Sequence, residues 1–325
     1  MKFAILDDFQ GAATSLACLE KLRARGEVIA IRQHARTEEE LIEWLKDVQI
    51  VIPIRERTRL GSRVLESIPT LEMISQTGGN APHLDIDAAT RRGIVVCTST
   101  GSATSTAELT FALMLAVMRR IPQEGRALRE GRWQTTFGVG LHGKMLGIIG
   151  LGRIGRQVAR IAQAFGMRVL ATGFTLTLER AQASGVQMAS LEDLLARSDV
   201  VSIHLRLSER SAKLIGRREL RLMKPTACLI NTSRGGIVDE AALVEAIQQR
   251  RIAGAGLDVF EQEPVDPQNP LLRFENVVCT PHIGFVTQEA YEELLGGAVE
   301  NVLNYLDGNP THVSNPEALA QRPRR

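Results

Sequence analysis

The sequence predicts an α/β protein built on parallel sheets and divided into two domains. Three observations carry this. Strand-like apolar runs alternate with helical patterns from end to end, a glycine-rich turn joins one such run to a helix near mid-chain, and 325 residues suffice for two cores of ordinary size.

Taken in order, the first series of strand-like runs is Phe3 to Leu6, Val28 to Ile31, Ile50 to Ile54, Leu71 to Ile74 and Ile94 to Cys97. Helix starts lie between them, as at Thr37-Glu-Glu-Glu40, where a threonine followed three residues later by glutamate reads as a capping box. A long helical pattern from Thr104 to Arg119 then leads away from this unit. A second series follows, with strands at Met145 to Ile149, Arg168 to Ala171, Val200 to His204, Ala227 to Asn231, Ala255 to Val259 and Val277 to Cys279. The last helix, Glu289 to Leu306, needs a surface on which to bury Leu294, Val299, Val302 and Leu306, and is expected to return to the first unit. The expected boundaries are 1–100 with 287–325 for one domain and 101–286 for the other, with hinges near 100 and 287.

Composition excludes several classes of function. Apolar residues make up 44% of the chain, charged residues 23%, and the net charge is only +2, with the basic residues dispersed. The pairs Arg91-Arg92 and Arg250-Arg251 read as last-turn cations favoured by the helix dipole, and Gln321 to Arg325 as a solvated basic end. No nucleic-acid partner is expected. No run approaches the roughly 18 apolar residues of a membrane span, and the opening Met1 to Asp7 reads as a first strand rather than a leader, so the cytoplasm is the expected compartment. Cys18, Cys97, Cys228 and Cys279 are far apart, with no histidine at ligand spacing; reduced, buried thiols and no metal site are expected.

The mid-chain turn is the most specific signal. Met145 to Ile149 runs into Gly150-Leu-Gly152-Arg153-Ile154-Gly155, and a helical pattern follows through Val158, Ile161 and Ala162. Gly150 permits a tight turn, Gly152 lets the backbone approach a pyrophosphate, and Gly155 lets helix and strand pack closely, with the helix amides facing the phosphates. This spacing predicts a dinucleotide site.

Three later segments place polar residues just after buried strands, where the carboxyl ends of an α/β sheet face the ligand crevice. They are Ile230-Asn-Thr232-Ser233-Arg234-Gly-Gly236, Gly256-Leu-Asp258-Val-Phe-Glu261-Gln-Glu263-Pro264 and Cys279-Thr-Pro-His282-Ile-Gly284. Reducing a 2-oxo acid by hydride transfer creates an alkoxide, so it needs a cation for the carboxylate and carbonyl and a proton donor at the oxygen. Arg234 and His282 fit these two roles. A carboxylate on the far imidazole nitrogen would hold the tautomer and favour the imidazolium. Glu263 is the candidate, with Glu261 and Asp258 competing.

These segments, in this order behind Gly150 to Gly155, resemble the D-isomer-specific 2-hydroxyacid dehydrogenases over nearly the whole chain. The resemblance implies two Rossmann/flavodoxin-like doubly wound parallel-sheet domains, the cofactor domain being inserted in a discontinuous substrate domain. It implies that Arg234 binds substrate, that Glu263 orients His282, and that His282 is the acid/base. It further places Asp258 at the nicotinamide amide, with the Thr232–Ser233 and Ile283–Gly284 segments near the ring, and Thr172, Gly173, Thr175 and His204 along the cofactor. It implies a homodimer joined through the cofactor domain. Substrate contacts are expected from Arg55, Gly78, Gly79 and Asn80 besides Arg234 and His282, with Phe285 and the Trp133 region as further pocket candidates.

Two departures from the family pattern bear on specificity. The substrate loop reads Gly78-Gly79-Asn80-Ala-Pro82-His83, with Pro82 and His83 in place of an Asp-Asn pair; this weakens a phosphoglycerate dehydrogenase reading, and His83 is expected to be structural. Thr172-Gly173-Phe174-Thr175, after the second cofactor-domain strand, carries neither the acid that selects NAD nor an arginine or lysine that would select NADP. Weak discrimination is expected, with NAD somewhat favoured. The expected function is reduction of a small 2-oxo acid in a cleft between the domains, with glyoxylate, hydroxypyruvate and arylpyruvates all open. The alternatives are a nucleotide-sensing protein resembling the C-terminal binding protein corepressors and a phosphonate dehydrogenase.

Overall fold

The computed structural model describes residues 1–79 and 81–320. Asn80 and the basic Gln321–Arg325 end lie outside the described residues. The chain divides into two compact units, Met1–Ser102 with Thr287–Arg325, and Ala103–Val286.

The first unit holds β1 (Lys2–Leu6), β2 (Glu27–Ala30), β3 (Ile50–Pro53), β4 (Met73–Gln76) and β5 (Val95–Thr98), all parallel, in the order β2-β1-β3-β4-β5. The unbroken apolar runs of β1 and β3 are buried throughout or nearly so, as strands covered on both faces must be. The chain reverses direction across the sheet between β1 and β3. The residues just past these strands at the reversal, Asp7 (φ 59°) and Arg55 (φ 58°), both lie in the left-handed region. In open α/β sheets that is where ligands bind.

The helix Gln288–Leu306 belongs to this unit, as its apolar stripe requires. Its N-cap Thr287 accepts from the Ala290 amide, and Leu294, Val299 and Val302 are buried. Leu306 is only half-buried, and Tyr305 takes the inward position. Two serines tie the helix to the sheet, Ser75 Oγ donating to Ala298 O at 2.8 Å and Ser99 Oγ to Leu294 O at 3.1 Å. At the helix Glu38–Leu45, Thr37 caps the Glu40 amide, but Glu40 reaches back to the Arg36 amide instead of the cap residue, so half of the expected capping box forms.

The second unit has seven parallel strands, β6 (Met145–Ile149), β7 (Arg168–Thr172), β8 (Gln187–Met188), β9 (Val200–Ile203), β10 (Cys228–Asn231), β11 (Gly254–Leu257) and β12 (Val277–Cys279), ordered β12-β11-β10-β9-β6-β7-β8. The short, exposed β8 carries no periodic signal and is missing from the sequence expectation. Separate hydrophobic clusters pack the unit, one built on Ile149, Val201 and Leu229 and one on Leu146, Ile148 and Val158. The strand order reverses between β6 and β9, so the ends of these two strands define the crevice.

All four cysteines are free thiols. Cys97 and Cys228 are buried as expected, whereas Cys18 and Cys279 are only half-buried. No helix among the described residues is long and apolar enough to cross a membrane.

Candidate active site

The glycine turn sits at the β6/β9 reversal. Gly150 has φ 103°, and a Cβ there would lie 2.6 Å from His204 O, just after β9. Gly155, in the first turn of the helix Arg153–Ala164, lies so close to the turn that a Cβ would be 2.2 Å from Gly150 O. Gly152 differs from both. It is the N-cap of that helix, it makes no side-chain cap hydrogen bond, and nothing lies within 4 Å of where its Cβ would stand. An open approach to a helix N-terminus is what a pyrophosphate needs, so these residues fit a dinucleotide. Arg153 begins the helix, and Ile154 packs half-buried on the core behind it.

The neighbouring strand ends complete this rim. Thr172 closes β7, and a Cβ on Gly173 would stand 3.6 Å from Gly150 Cα. Phe174 and Thr175 are exposed, the Thr175 carbonyl accepting from Arg180 Nη1 at 2.9 Å. His204 places its Nε2 2.9 Å from Ser202 Oγ, and desolvation brings its pKa down to about 4. The imidazole is therefore neutral beside the glycine turn.

Past β10 the chain is fastened in place. Asn231 Oδ1 accepts the Ser233 amide at 3.0 Å, and its Nδ2 donates to Arg234 O at 3.0 Å. Ser233 Oγ donates to Leu205 O, and Thr232 and Thr110 share a hydroxyl contact of 2.9 Å. Gly235 presses on the neighbouring chain, since a Cβ there would stand 1.9 Å from the Phe260 carbonyl carbon. The Arg234 guanidinium is braced by its own Nη1 donating to Ser233 O at 2.7 Å.

Geometry selects among the three carboxylates. His282 Nδ1 donates to Glu263 Oε2 at 2.6 Å, while Glu263 Oε1 accepts the Phe260 amide at 3.0 Å. Burial pushes the Glu263 carboxyl up, but the imidazole hydrogen bond and charge, the Phe260 amide and Arg234 outweigh it and hold the group below its usual range. Glu261 faces away, pairing with Lys213 at 3.7 Å and meeting the Glu240 amide at 3.4 Å.

Asp258 is fully buried and accepts from Thr280 Oγ1 (2.6 Å), the Ile283 amide (2.8 Å) and the Gly284 amide (2.8 Å). Its carboxylate thus clamps the loop on both sides of His282, a task not visible in the sequence, and burial raises its pKa despite these donors. Three of its roughly four acceptor positions are used. His282 itself sits at φ 53°, a backbone region that non-glycine residues occupy only when their surroundings enforce it. Phe285 is buried, its ring edge-on to the imidazole at 6.1 Å between centroids.

In the first unit, a Cβ on Gly78 (φ 94°) would lie 1.8 Å from Arg55 Nη1, so the guanidinium lies directly over that glycine. The Arg55 amide donates to Thr77 Oγ1 at 2.7 Å. Gly79 is the last described residue before Asn80. His83 Nε2 meets Gln76 Oε1 at 3.1 Å, and desolvation lowers its pKa to about 4. Trp133 stands largely exposed in the second unit.

Residues 111–284 match the model of the D-isomer specific 2-hydroxyacid dehydrogenase NAD-binding domain. The chain belongs to the D-isomer-specific 2-hydroxyacid dehydrogenases. It is 39% identical over 291 residues to a Korarchaeum cryptofilum glyoxylate reductase, covering 87% of each chain. It is 40% identical over 295 residues to an Archaeoglobus fulgidus D-3-phosphoglycerate dehydrogenase, covering 90% of this chain but only 56% of that protein's length. A crystal structure of a Vibrio cholerae phosphoglycerate oxidoreductase superposes with a TM-score of 0.91 at 36% identity, covering 95% of this chain and 99% of that one. Arg210, which the sequence pattern does not single out, stands beside the loop that follows β7. Its guanidinium lies 4.3 Å from the centroid of the Phe174 ring, although the two are far apart in sequence.

Proposed function

We propose that the chain is an NAD(P)-dependent D-2-hydroxyacid dehydrogenase that reduces a small 2-oxo acid, of the glyoxylate or hydroxypyruvate kind, to the D-2-hydroxy acid. The observation that carries this reading is the Glu263–His282 contact of 2.6 Å on a loop clamped by Asp258, in the unit that also holds the Gly150 turn.

The roles follow from charge. A nicotinamide held at the Gly150 turn would supply the hydride for the carbonyl carbon. The Arg234 guanidinium binds the substrate carboxylate and polarises the carbonyl oxygen. His282, with Nδ1 committed to Glu263, presents Nε2, which gives its proton to the oxygen as the carbonyl bond opens. Glu263 stays anionic and holds the imidazolium. Gly152 and the helix amides receive the pyrophosphate, and the spare acceptor of Asp258 suits the nicotinamide carboxamide.

The test is loss of the reduced-nicotinamide absorbance with glyoxylate, hydroxypyruvate, pyruvate and phenylpyruvate. Turnover should appear on at least one and fall by at least about 100-fold in His282→Ala, with cofactor affinity kept, while Arg234→Ala should chiefly raise KM. Unchanged turnover in the His282 variant would overturn the assignment. Tight cofactor binding with no turnover on any acid would favour a nucleotide sensor.

The proposed assembly is a homodimer through the second unit. Support comes from the segment after the helix Thr104–Met118, where Trp133 is 76% and Phe137 97% exposed.

A further inference from the structure

The rim at the end of β7 selects a cofactor by its adenosine ribose, because an acid there binds the 2′-hydroxyl and repels a 2′-phosphate. This chain has no acid between Thr172 and Thr175. The fold instead brings two guanidinium groups to that loop. Arg180 is fixed by its hydrogen bond to Thr175 O. Arg210 comes from the segment that follows β9, its guanidinium carbon 4.3 Å from the centre of the Phe174 ring.

Two features make Arg210 more than an incidental surface contact. The segment that carries it is built: Ser211, fully buried, donates from Oγ to Arg206 O at 2.6 Å and accepts the Ser208 amide at 2.8 Å, fixing the turn on which Arg210 stands. The ring beneath it is on the rim, adjoining Gly173, itself beside the Gly150 turn. An exposed cation–π contact is weak, whereas a guanidinium on a phosphate makes paired, charge-assisted hydrogen bonds. Phe174 therefore holds the cation ready while leaving it available to a stronger partner.

We infer that Arg210, held over Phe174 and supported by Arg180, recognises the 2′-phosphate of NADP(H), and that this chain favours NADPH over NADH. The inference rests on the dinucleotide reading of the Gly150 turn and gives the rim a direction that the missing acid alone leaves open.

Direct binding to the full chain, by titration calorimetry at low salt, tests it without turnover. The probes are NADPH and NADH, with 2′,5′-ADP against 5′-AMP to isolate the phosphate. The wild-type chain should bind NADPH and 2′,5′-ADP at least about tenfold more tightly than their counterparts, a difference of about 1.4 kcal/mol. Arg210→Ala should remove most of that advantage while leaving NADH affinity within about twofold, and Arg210→Lys should keep part of it. Arg210 is exposed, so these variants should fold. Equal or tighter binding of NADH by the wild-type chain would overturn the inference. So would equal losses of both cofactors in Arg210→Ala, which would mark a stacking role. Failure of every probe to bind would overturn the dinucleotide reading itself.

Discussion

Glu263 and His282 meet at 2.6 Å, and the same carboxylate accepts the Phe260 amide through its other oxygen. One acid therefore fixes both the tautomer of the imidazole and the turn that carries the acid. Glu263→Gln keeps the shape but removes the charge that stabilises the imidazolium, so kcat should fall by about 100-fold or more, while NADPH and NADH affinities stay within twofold. The folded pKa of Glu263 lies below 4.5. The pair's contribution to stability is thus complete above pH 4.5 and is lost as pH falls through the lower folded value. Steady-state kinetics with cofactor titrations would check this, and a glutamine variant with wild-type kcat would remove Glu263 from the mechanism.

Two of the motif glycines, Gly155 and Gly152, should fail in different ways. Gly155→Ala drives a methyl into the Gly150 carbonyl, a backbone atom that cannot yield without moving the turn. It should destabilise the chain by about 1–3 kcal/mol or abolish folding. Gly152→Ala meets nothing in the protein. It should cost no more than about 1 kcal/mol as a poorer N-cap, yet weaken cofactor binding at least tenfold by standing in the pyrophosphate's approach. Thermal melts beside calorimetric titrations separate the two, and normal cofactor affinity in Gly152→Ala would place the phosphates elsewhere.

These contrasts show what a linear reading could reach. Gly150 to Gly155, Arg234 and His282 were legible because each lies within a few residues of the strand that positions it, so local pattern and site coincide. The partner of His282 was open among three acids because the choice depends on how the Phe260–Glu263 turn folds back. The clamp by Asp258 was hidden for a like reason, as it joins the ends of β11 and β12. Arg210 could not be found by spacing at all, since only the β6/β9 reversal brings its segment beside Phe174. The two-residue β8 has too little sequence to show a period.

His83 should make stability depend on pH. Gln76 Nε2 donates to Arg55 O and Thr77 O, so its Oε1 faces His83 and takes the Nε2 proton, leaving Nδ1 bare, buried and without a hydrogen-bond partner. Protonating Nδ1 would bury a charge there, which is why the folded pKa is about 4 against an ordinary 6.5. The unfolded chain takes up the proton first, so stability is complete above pH 6.5 and declines as pH falls towards 4. His204, also near 4, adds a second such contribution. His83→Gln should reduce the drop in thermal midpoint between pH 7.5 and 5 by roughly half; an unchanged drop would show that His83 is solvated.

The proposed dimer can be broken at a preformed surface. Glu124 accepts from the Thr135 amide (3.1 Å), the Thr135 hydroxyl (2.8 Å) and the Thr136 hydroxyl (2.6 Å), tying the segment after the helix Ile121–Arg129 back onto it. Ile121, Leu128, Trp133, Phe137 and Val139 all stand exposed along this stretch, a density of large apolar groups that a lone surface rarely shows. Such aromatic residues carry most of an interface's energy when a partner covers them. The double variant Trp133→Ala, Phe137→Ala should therefore run as a monomer in light scattering where the wild-type chain runs as a dimer, with cofactor affinity retained because neither side chain belongs to the Gly150 rim. A variant that remains dimeric, or a wild-type chain that is monomeric at tens of micromolar, would show that this surface serves another purpose.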